Sequence, residues 1–270
     1  DLVASWTPGR PDAQIANMHT MFNVVTTLIL LPFGTYLAAF AQKVLPYKEE
    51  KTSEVLQYLK PLPSSTRSLG TSAISVQQVD EEINHMLSLA YENVEQGFGQ
   101  LLKYDKKIGE EILKREETVD TLNREIADYI TNALSMELNN DTSAALSIYY
   151  HQITDIERIS DYAVKMENYS KDRLQARLND EERDTISSMH SMCMEMYDAR
   201  HDIQKSETLR RQSEDVCVNL RKRQMQRMKE KSISSEISMM FSQLLTDFER
   251  INGHALNIAE DYEIISHCVQ

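Results

Sequence analysis

The stretch that decides the fold is TDIERISDYA at residues 154–163, because it returns as TDFERINGHA at residues 246–255. The two copies share Thr, Asp, Glu, Arg, Ile and Ala at the same places and lie 92 residues apart. A repeat at this spacing indicates that the chain holds two copies of one structural unit. The second copy has Gly253 where the first has Asp161, so the two units are not chemically equivalent.

Around both copies, apolar residues recur with the spacing of an amphipathic helix. The chain has 270 residues but only 7 Gly and 6 Pro, and this scarcity of helix breakers favours long helices. Helices with apolar stripes bury them against each other, so we expect an all-α fold with two tandem three-helix bundles, residues 76–178 and 179–270. The predicted helices span about 76–103, 106–135, 141–178, 180–203, 205–230 and 232–266.

A separate apolar segment precedes the bundles. Residues 21–41, MFNVVTTLILLPFGTYLAAFA, contain no charged side chain, and a helix of about 20 apolar residues is long enough to cross a bilayer. A buried helix of a water-soluble protein is the alternative. Three lysines follow the segment and only Arg10 precedes it, which places the C-terminal side in the cytoplasm under the positive-inside rule. These lysines are Lys43, Lys48 and Lys51.

The segment and the bundles are joined by residues 49–75, whose Pro- and Ser-rich composition predicts a linker with a short helix around Glu54–Leu59. Residues 1–48 would then contain the last transmembrane segment or segments. The sequence begins at Asp1 with no signal-peptide pattern, so we expect it to be the later part of a longer protein.

The charge balance limits the partners. The formal net charge is −13, and residues 1–48 contribute a net +1, so the acidity lies in the predicted bundles. Phosphate contacts need cationic surface, which argues against nucleic-acid binding and favours cations. The 3 cysteines show no CxxC spacing, and this sparse, odd count predicts buried thiols in a reducing compartment.

The repeated stretch carries a candidate metal site. Glu157 and Asp161 are four residues apart and therefore adjacent on one helix face, and Glu116 and Asp120 have the same spacing on the second predicted helix. If the two helices pack antiparallel, the four carboxylates, here called the carboxylate cluster, converge. Oxygen-only ligands suit Mg²⁺, Ca²⁺ or Mn²⁺, with iron also allowed. A solvated acidic face is the alternative.

Other patterns in the sequence point to other kinds of site. A di-iron bundle needs two Glu-x-x-His pairs, and the chain offers one, Glu82 with His85. Residues 210–231 carry a net +5, which suits lipid head groups, an acidic partner or a solvated face. The sequence contains no nucleophile–base pair and no Gly-rich phosphate loop, so we do not expect an enzyme.

On these residues the repeated unit resembles a PhoU-type domain, a family built from two three-helix repeats with a Glu/Asp-x-x-x-Asp metal motif. The resemblance implies a metal cluster at Glu116, Asp120, Glu157 and Asp161. The second repeat matches less well and offers only weaker candidates, Asp215, Asn219 and Glu249. Positions that match the two family motifs are Glu116, Val119, Asp120 and Leu122, and Asp155, Glu157, Arg158, Ile159, Asp161 and Ala163.

Residues 13–33, AQIANMHTMFNVVTTLILLPF, resemble the last membrane segments of bacterial sodium/phosphate cotransporters, and LKPLP at 59–63 resembles their join to a PhoU-like domain. The family's Gln-Ser-Ser stretches are absent, so this chain would not transport by itself. The matching residues are His19, Thr20, Phe22 and Asn23.

The two resemblances together imply the C-terminal part of a sodium-dependent phosphate transporter in the cytoplasmic (inner) membrane, with a regulatory PhoU-like domain in the cytoplasm. Its partners would be phosphate, sodium, the membrane, and its own membrane core or another regulatory protein, reached through the basic segment 210–231. The alternative is a membrane-tethered phosphate-signalling adaptor that transports nothing.

Overall fold

A computed structural model describes residues 6–30, 55–60, 69–136, 138–171, 178–230 and 232–268. The chain divides into two compact units, Asp1–Lys51 and Thr52–Gln270.

The first unit contains one described helix, α1, at Pro11–Leu30, and none of its residues is buried within the unit. Arg10 pairs with Asp12 at its start. Within the ranges described above, no helix combines the length and the apolar character needed to span a bilayer. The second half of the predicted membrane segment, residues 31–41, lies outside those ranges.

The second unit is a bundle of long helices, as the repeated sequence predicts. Each helix begins and ends within a few residues of its predicted bounds, except that the first starts earlier and the third is described only to Lys171. The helices are α2 Leu69–Leu102, α3 Lys106–Leu134, α4 Asn140–Lys171, α5 Asp180–Asp198, α6 Ile203–Lys229 and α7 Ser235–Cys268.

Two three-helix bundles share one core. Helices α2, α3 and α4 pack together as the first, and α5, α6 and α7 as the second. The bundles join where α4 packs on α7 and α2 on α5, which leaves α3 and α6 as the outer helices. The apolar stripe of each helix is buried in this core, and its largest fully buried side chains include Phe98, Phe241 and Phe248.

The outer helices of the two repeats begin with the same kind of cap. The Asp105 side chain accepts a hydrogen bond from the Lys107 backbone N–H at 2.8 Å and begins α3. Asp202 accepts from the Lys205 backbone N–H at 3.0 Å and begins α6. A side chain that accepts from these otherwise unpaired N–H groups stabilises a helix start.

The linker is docked on α2 and is not helical where it is described. The backbone N–H groups of Gln57, Tyr58 and Leu59 donate to the buried carboxylate of Glu82, at 2.7 Å from Tyr58. These bonds replace the i to i−4 bonds of the short helix predicted there, so that prediction is wrong for residues 55–60. His85 Nδ1 lies 3.1 Å from the same carboxylate, which gives the Glu-x-x-His pair a structural role.

Candidate metal centre: the carboxylate cluster

The carboxylate cluster lies where α3 passes α4, on the outside of the first bundle. Glu116 and Asp120 are one helical turn apart on α3, and Glu157 and Asp161 are one turn apart on α4. All four are half-buried. Buried residues beside them hold the two helices together, which explains why four charged side chains face one another. Those neighbours are Val119, Ile156, Ile159 and Ser160.

The carboxylates act on one another electrostatically. Burial, and then Asp120, Asp161 and Glu157 among its neighbours, raise the pKa of Glu116 above its ordinary value. Burial and Asp161 also raise the pKa of Asp120 and of Glu157. Arg124 and Arg158 offset part of this effect on Asp120 and Glu157, but the pKa of each stays raised, and a cation between the carboxylates would relieve the remaining repulsion.

The four carboxylates have the right chemistry for a hard cation, but their side chains are not arranged around one. Four carboxylates supply only oxygen ligands, as Mg²⁺, Ca²⁺ and Mn²⁺ prefer. However, no group of three or more His, Cys, Asp or Glu side chains in the described part of the chain is arranged to hold a metal ion. Asp161 instead accepts a hydrogen bond from Arg158 Nη1 at 3.3 Å. The metal ligands therefore stay a prediction, which requires these side chains to rotate toward one ion.

A buried polar network fixes the helices behind the cluster. Asn93 of α2 donates to Ser160 Oγ at 3.0 Å and accepts from Arg115 Nη1 at 2.7 Å. Arg115 also pairs with Glu92 at 2.8 Å. The network ties α2, α3 and α4 together one residue away from both Glu116 and Asp161. The backbone under the cluster is thus held in place even if its side chains rotate.

In the second repeat the equivalent face is not acidic. Glu249, which corresponds to Glu157, accepts two hydrogen bonds from Arg221, at 2.7 and 2.6 Å. Asp215 and Asn219 are exposed. Two small buried residues of α6, Ser213 and Cys217, have the i, i+4 spacing that Glu116 and Asp120 have on α3.

Two further observations concern this second face. A Cβ on Gly253, which stands where the first repeat has Asp161, would lie 4.0 Å from Arg210 Nε. Burial raises the pKa of the Cys217 thiol to about 12, so this thiol stays protonated at neutral pH. Arginines and a neutral thiol do not attract a cation, and the repeated Glu here anchors α6 to α7.

Sequence reasoning missed the role of the aspartate in the repeated stretch. Asp155 of α4 reaches α7, where His254 Nδ1 lies 2.7 Å away and Asn257 donates at 3.1 Å. Asp247 of α7 reaches α4 and accepts from the Tyr169 hydroxyl at 2.7 Å. The two aspartates thus make reciprocal contacts across the α4–α7 contact, here called the seam. The signal was present, since the Asp is identical in both copies.

The seam also holds a carboxylate with altered acidity. Burial, followed by the charges of Asp155 and Glu260, raises the pKa of Asp261 to about 7. His254 stacks on Tyr162 with ring centroids 6.0 Å apart, next to this position. The contact between the two repeats therefore contains a group that titrates near neutrality.

The residues that match the transporter family lie on α1. Asn23 Nδ2 is 3.1 Å from His19 Nε2, and Thr20 Oγ1 donates to the Ala16 carbonyl at 3.0 Å. The Phe22 side chain is exposed. All of these contacts are local to one helix, and they leave the family assignment of this segment a prediction.

The second unit thus consists of two three-helix repeats, and the carboxylate cluster lies on the first of them. Residues 83–169 match the model of the PhoU domain family. The crystal structure of PhoU from Pseudomonas aeruginosa is similar with a TM-score of 0.63 and 18% identity, over 72% of this chain and 98% of that one.

A second solved structure gives the same result. The phosphate transport system regulatory protein PhoU from Streptococcus pneumoniae is similar with a TM-score of 0.62 and 15% identity, over 72% of this chain and 96% of that one. A search of curated proteins found no match. The chain therefore contains a PhoU-like domain, as its sequence predicts.

Proposed function

We propose that the chain is the C-terminal part of a sodium-dependent phosphate transporter, and that its PhoU-like domain regulates transport from the cytoplasmic side of the inner membrane. The observation that carries the regulatory role is the PhoU-like domain itself, since one structure with this fold is a phosphate transport system regulatory protein. The transporter role rests on the resemblance of residues 13–33 to the last membrane segments of that family. No catalytic reaction is assigned to the chain.

In this proposal a divalent or trivalent cation binds Glu116, Asp120, Glu157 and Asp161. These four carboxylates, whose charges raise one another's pKa, would hold the ion, and its positive charge would offset theirs. The first bundle would then be more rigid with the ion than without it, which gives the domain two states with which to act on a membrane core or a regulatory partner.

Elemental analysis of the purified chain tests the metal. We expect one or more equivalents of metal in the parent and a loss of that metal in the double variant Glu157→Ala/Asp161→Ala, with the helical content unchanged by circular dichroism. Equal metal content in parent and variant would refute the cluster as the binding site.

The coding DNA upstream of Asp1 separates transporter from adaptor. Several apolar segments with Gln-Ser-Ser stretches are expected if the protein transports phosphate with sodium. If these segments are absent, the adaptor takes the transporter's place as a membrane-tethered protein that signals phosphate status. The sodium-dependent uptake of phosphate by the whole protein in proteoliposomes then checks the assignment directly.

A further inference from the structure

An apolar groove lies on the second repeat, away from the carboxylate cluster. It runs between the C-terminal half of α6 and the N-terminal half of α7 and encloses about 600 Å³. Its floor includes the buried Leu245. Three methionines form its walls: Met225 is 61% exposed, Met228 44% and Met239 74%. Met225 and Met228 lie on adjacent turns of α6, and together with Met239 of α7 they give the groove an apolar wall.

The chemistry of the groove is that of an adaptable surface. Methionine is unbranched and polarisable, so it repacks around different apolar side chains, and Met-rich grooves commonly receive amphipathic helices. Among the described helices, α6 packs mainly on α5 and α7. The three methionine side chains of the groove remain exposed.

Lysines flank the groove. Lys222 and Lys229 are exposed, and neither forms an ion pair with another residue that the structure describes. They lie on the same side of α6 as Met225, one turn before it and one turn after it. Arg221, which also lines the groove, is neutralised by Glu249. The uncompensated charge beside the apolar surface is thus positive, within an acidic chain.

The outer helix of the first repeat carries different side chains. In place of the exposed methionines and lysines of α6, the C-terminal half of α3 carries Glu125 and Asp128. The outer helix that is basic and apolar in one repeat is acidic and polar in the other. The groove is a property of these side chains and not of the three-helix fold.

We propose that this groove binds an acidic amphipathic helix of a partner protein, with its apolar side chains between Met225, Met228 and Met239 and its carboxylates beside Lys222 and Lys229. A concave groove matches the convex ridge of a helix, whereas a bilayer surface requires a flat or convex face. This inference rests on the proposed regulatory function for the existence of a partner and adds where that partner binds.

The test uses the full chain and a synthetic probe. The probe is a labelled peptide of about 18 residues with Leu at helical spacing and Glu on the flanks, long enough to form a helix on binding. Fluorescence anisotropy gives its Kd. A second peptide with Lys in place of every Glu is the matched probe. We expect the Glu peptide to bind and the Lys peptide to bind at least about tenfold more weakly.

The variants then locate the site. Met225→Gln/Met239→Gln changes only exposed side chains and is expected to weaken binding of the Glu peptide about tenfold or more. Lys222→Glu/Lys229→Glu is expected to reverse the preference toward the Lys peptide. Leu113→Gln, an exposed apolar position on α3, is the control and should leave the Kd unchanged.

Three outcomes would overturn the proposal. The first is equal affinity for both peptides, and the second is binding of the Glu peptide that the methionine variant does not weaken. The third is failure of the Glu peptide to bind, together with weaker binding of Met225→Gln/Met239→Gln to vesicles of phosphatidylcholine and phosphatidylserine. The last outcome would identify a lipid surface. The peptide assay involves neither metal nor transport, so its failure is distinguishable from failure of the proposed function.

Discussion

The identical Asp of the two repeated stretches has one role in both, which is to join the repeats. Asp247 is fully buried and accepts from Tyr169, whereas the Asp155 side chain is 20% exposed and faces His254. A buried hydrogen bond to a charged group contributes more than an exposed one, because its loss leaves a donor without a partner and without water. The two equivalent residues therefore differ in their contribution to stability.

Asp247→Ala is expected to lower the free energy of unfolding by about 1–3 kcal/mol, because it removes a fully buried acceptor that bonds the half-buried Tyr169 hydroxyl and lies 4.0 Å from Lys165 Nζ. Asp155→Ala, its counterpart in the first repeat, is expected to cost less, since water reaches His254. The urea midpoints of the two variants measure the difference. A larger loss for Asp155→Ala would contradict this account of the seam.

Asp261 predicts a pH dependence. Its pKa is about 7 in the folded chain and about 3.9 when unfolded, so between these values the folded state holds a proton that the unfolded state has released. Stability from this group is therefore lost as the pH rises from about 4 to about 7. Asp261→Asn has no charge to bury and is expected to be more stable than the parent at pH 8, by about 1–2 kcal/mol after allowing for partial exposure.

Urea unfolding at pH 5 and pH 8 checks this expectation. The exposed Glu263 on the same helix provides the control, because Glu263→Gln removes a carboxylate that is open to water. The prediction fails if Asp261→Asn and the parent lose stability equally between the two pH values.

At the scale of elements, sequence predicts what is local and misses what is set by packing. The bounds of α3 and α6 follow from caps and apolar periodicity, which a single helix carries in its own residues. The face of α6 that is buried does not follow from its own residues. Asp215 and Asn219 have the i, i+4 spacing of the first-repeat carboxylates, but Ser213 and Cys217 are the buried residues. Only contact between helices decides which face is buried.

The docked linker is an element held by a single side chain. Glu82 accepts hydrogen bonds from three consecutive backbone N–H groups. Burial is the largest single influence on its pKa and raises it, but His85 and the three N–H groups together lower the pKa below its ordinary value. Glu82→Ala is expected to release residues 57–59 and to speed amide hydrogen exchange at Tyr58 and Leu59 at least about tenfold, since a hydrogen bond to a charged group is worth about 1.5–3 kcal/mol.

Two substitutions separate charge from shape in this experiment. Glu82→Gln keeps an acceptor oxygen without the charge and is expected to give an intermediate exchange rate. Glu81→Gln, which changes the neighbouring carboxylate, should leave the rate as in the parent. Unchanged exchange in Glu82→Ala would mean that other contacts hold the linker.

At the scale of the whole molecule, duplication explains both the accuracy and the errors of the sequence predictions. A repeat of 92 residues predicts two similar bundles, and the second unit has them. It also invites the assumption that the bundles share their chemistry, whereas the first repeat presents carboxylates and the second an Arg221–Glu249 pair and a methionine groove. Side chains diverge on outer faces because the shared core constrains only the buried stripe.

The carboxylate cluster predicts that removing two carboxylates and binding a metal ion each raise the stability of the whole fold, and that the metal has no effect once the carboxylates are removed. In chelator, Glu116→Gln/Glu157→Gln is expected to raise Tm, because the pKa of both carboxylates is raised and their ionised forms repel at pH 8. With Mg²⁺, Ca²⁺ or Mn²⁺ at about 100 times its Kd, the parent should gain about 5 °C or more in Tm, and the variant should gain nothing.

Glu125→Gln is the matched control. Burial and Asp128 raise the pKa of the Glu125 carboxylate, but this residue lies outside the cluster. Whatever its effect on Tm in chelator, Glu125→Gln should still gain the same rise in Tm from the metal as the parent does. A cluster that is only a solvated acidic face would make all three proteins respond equally to the ion.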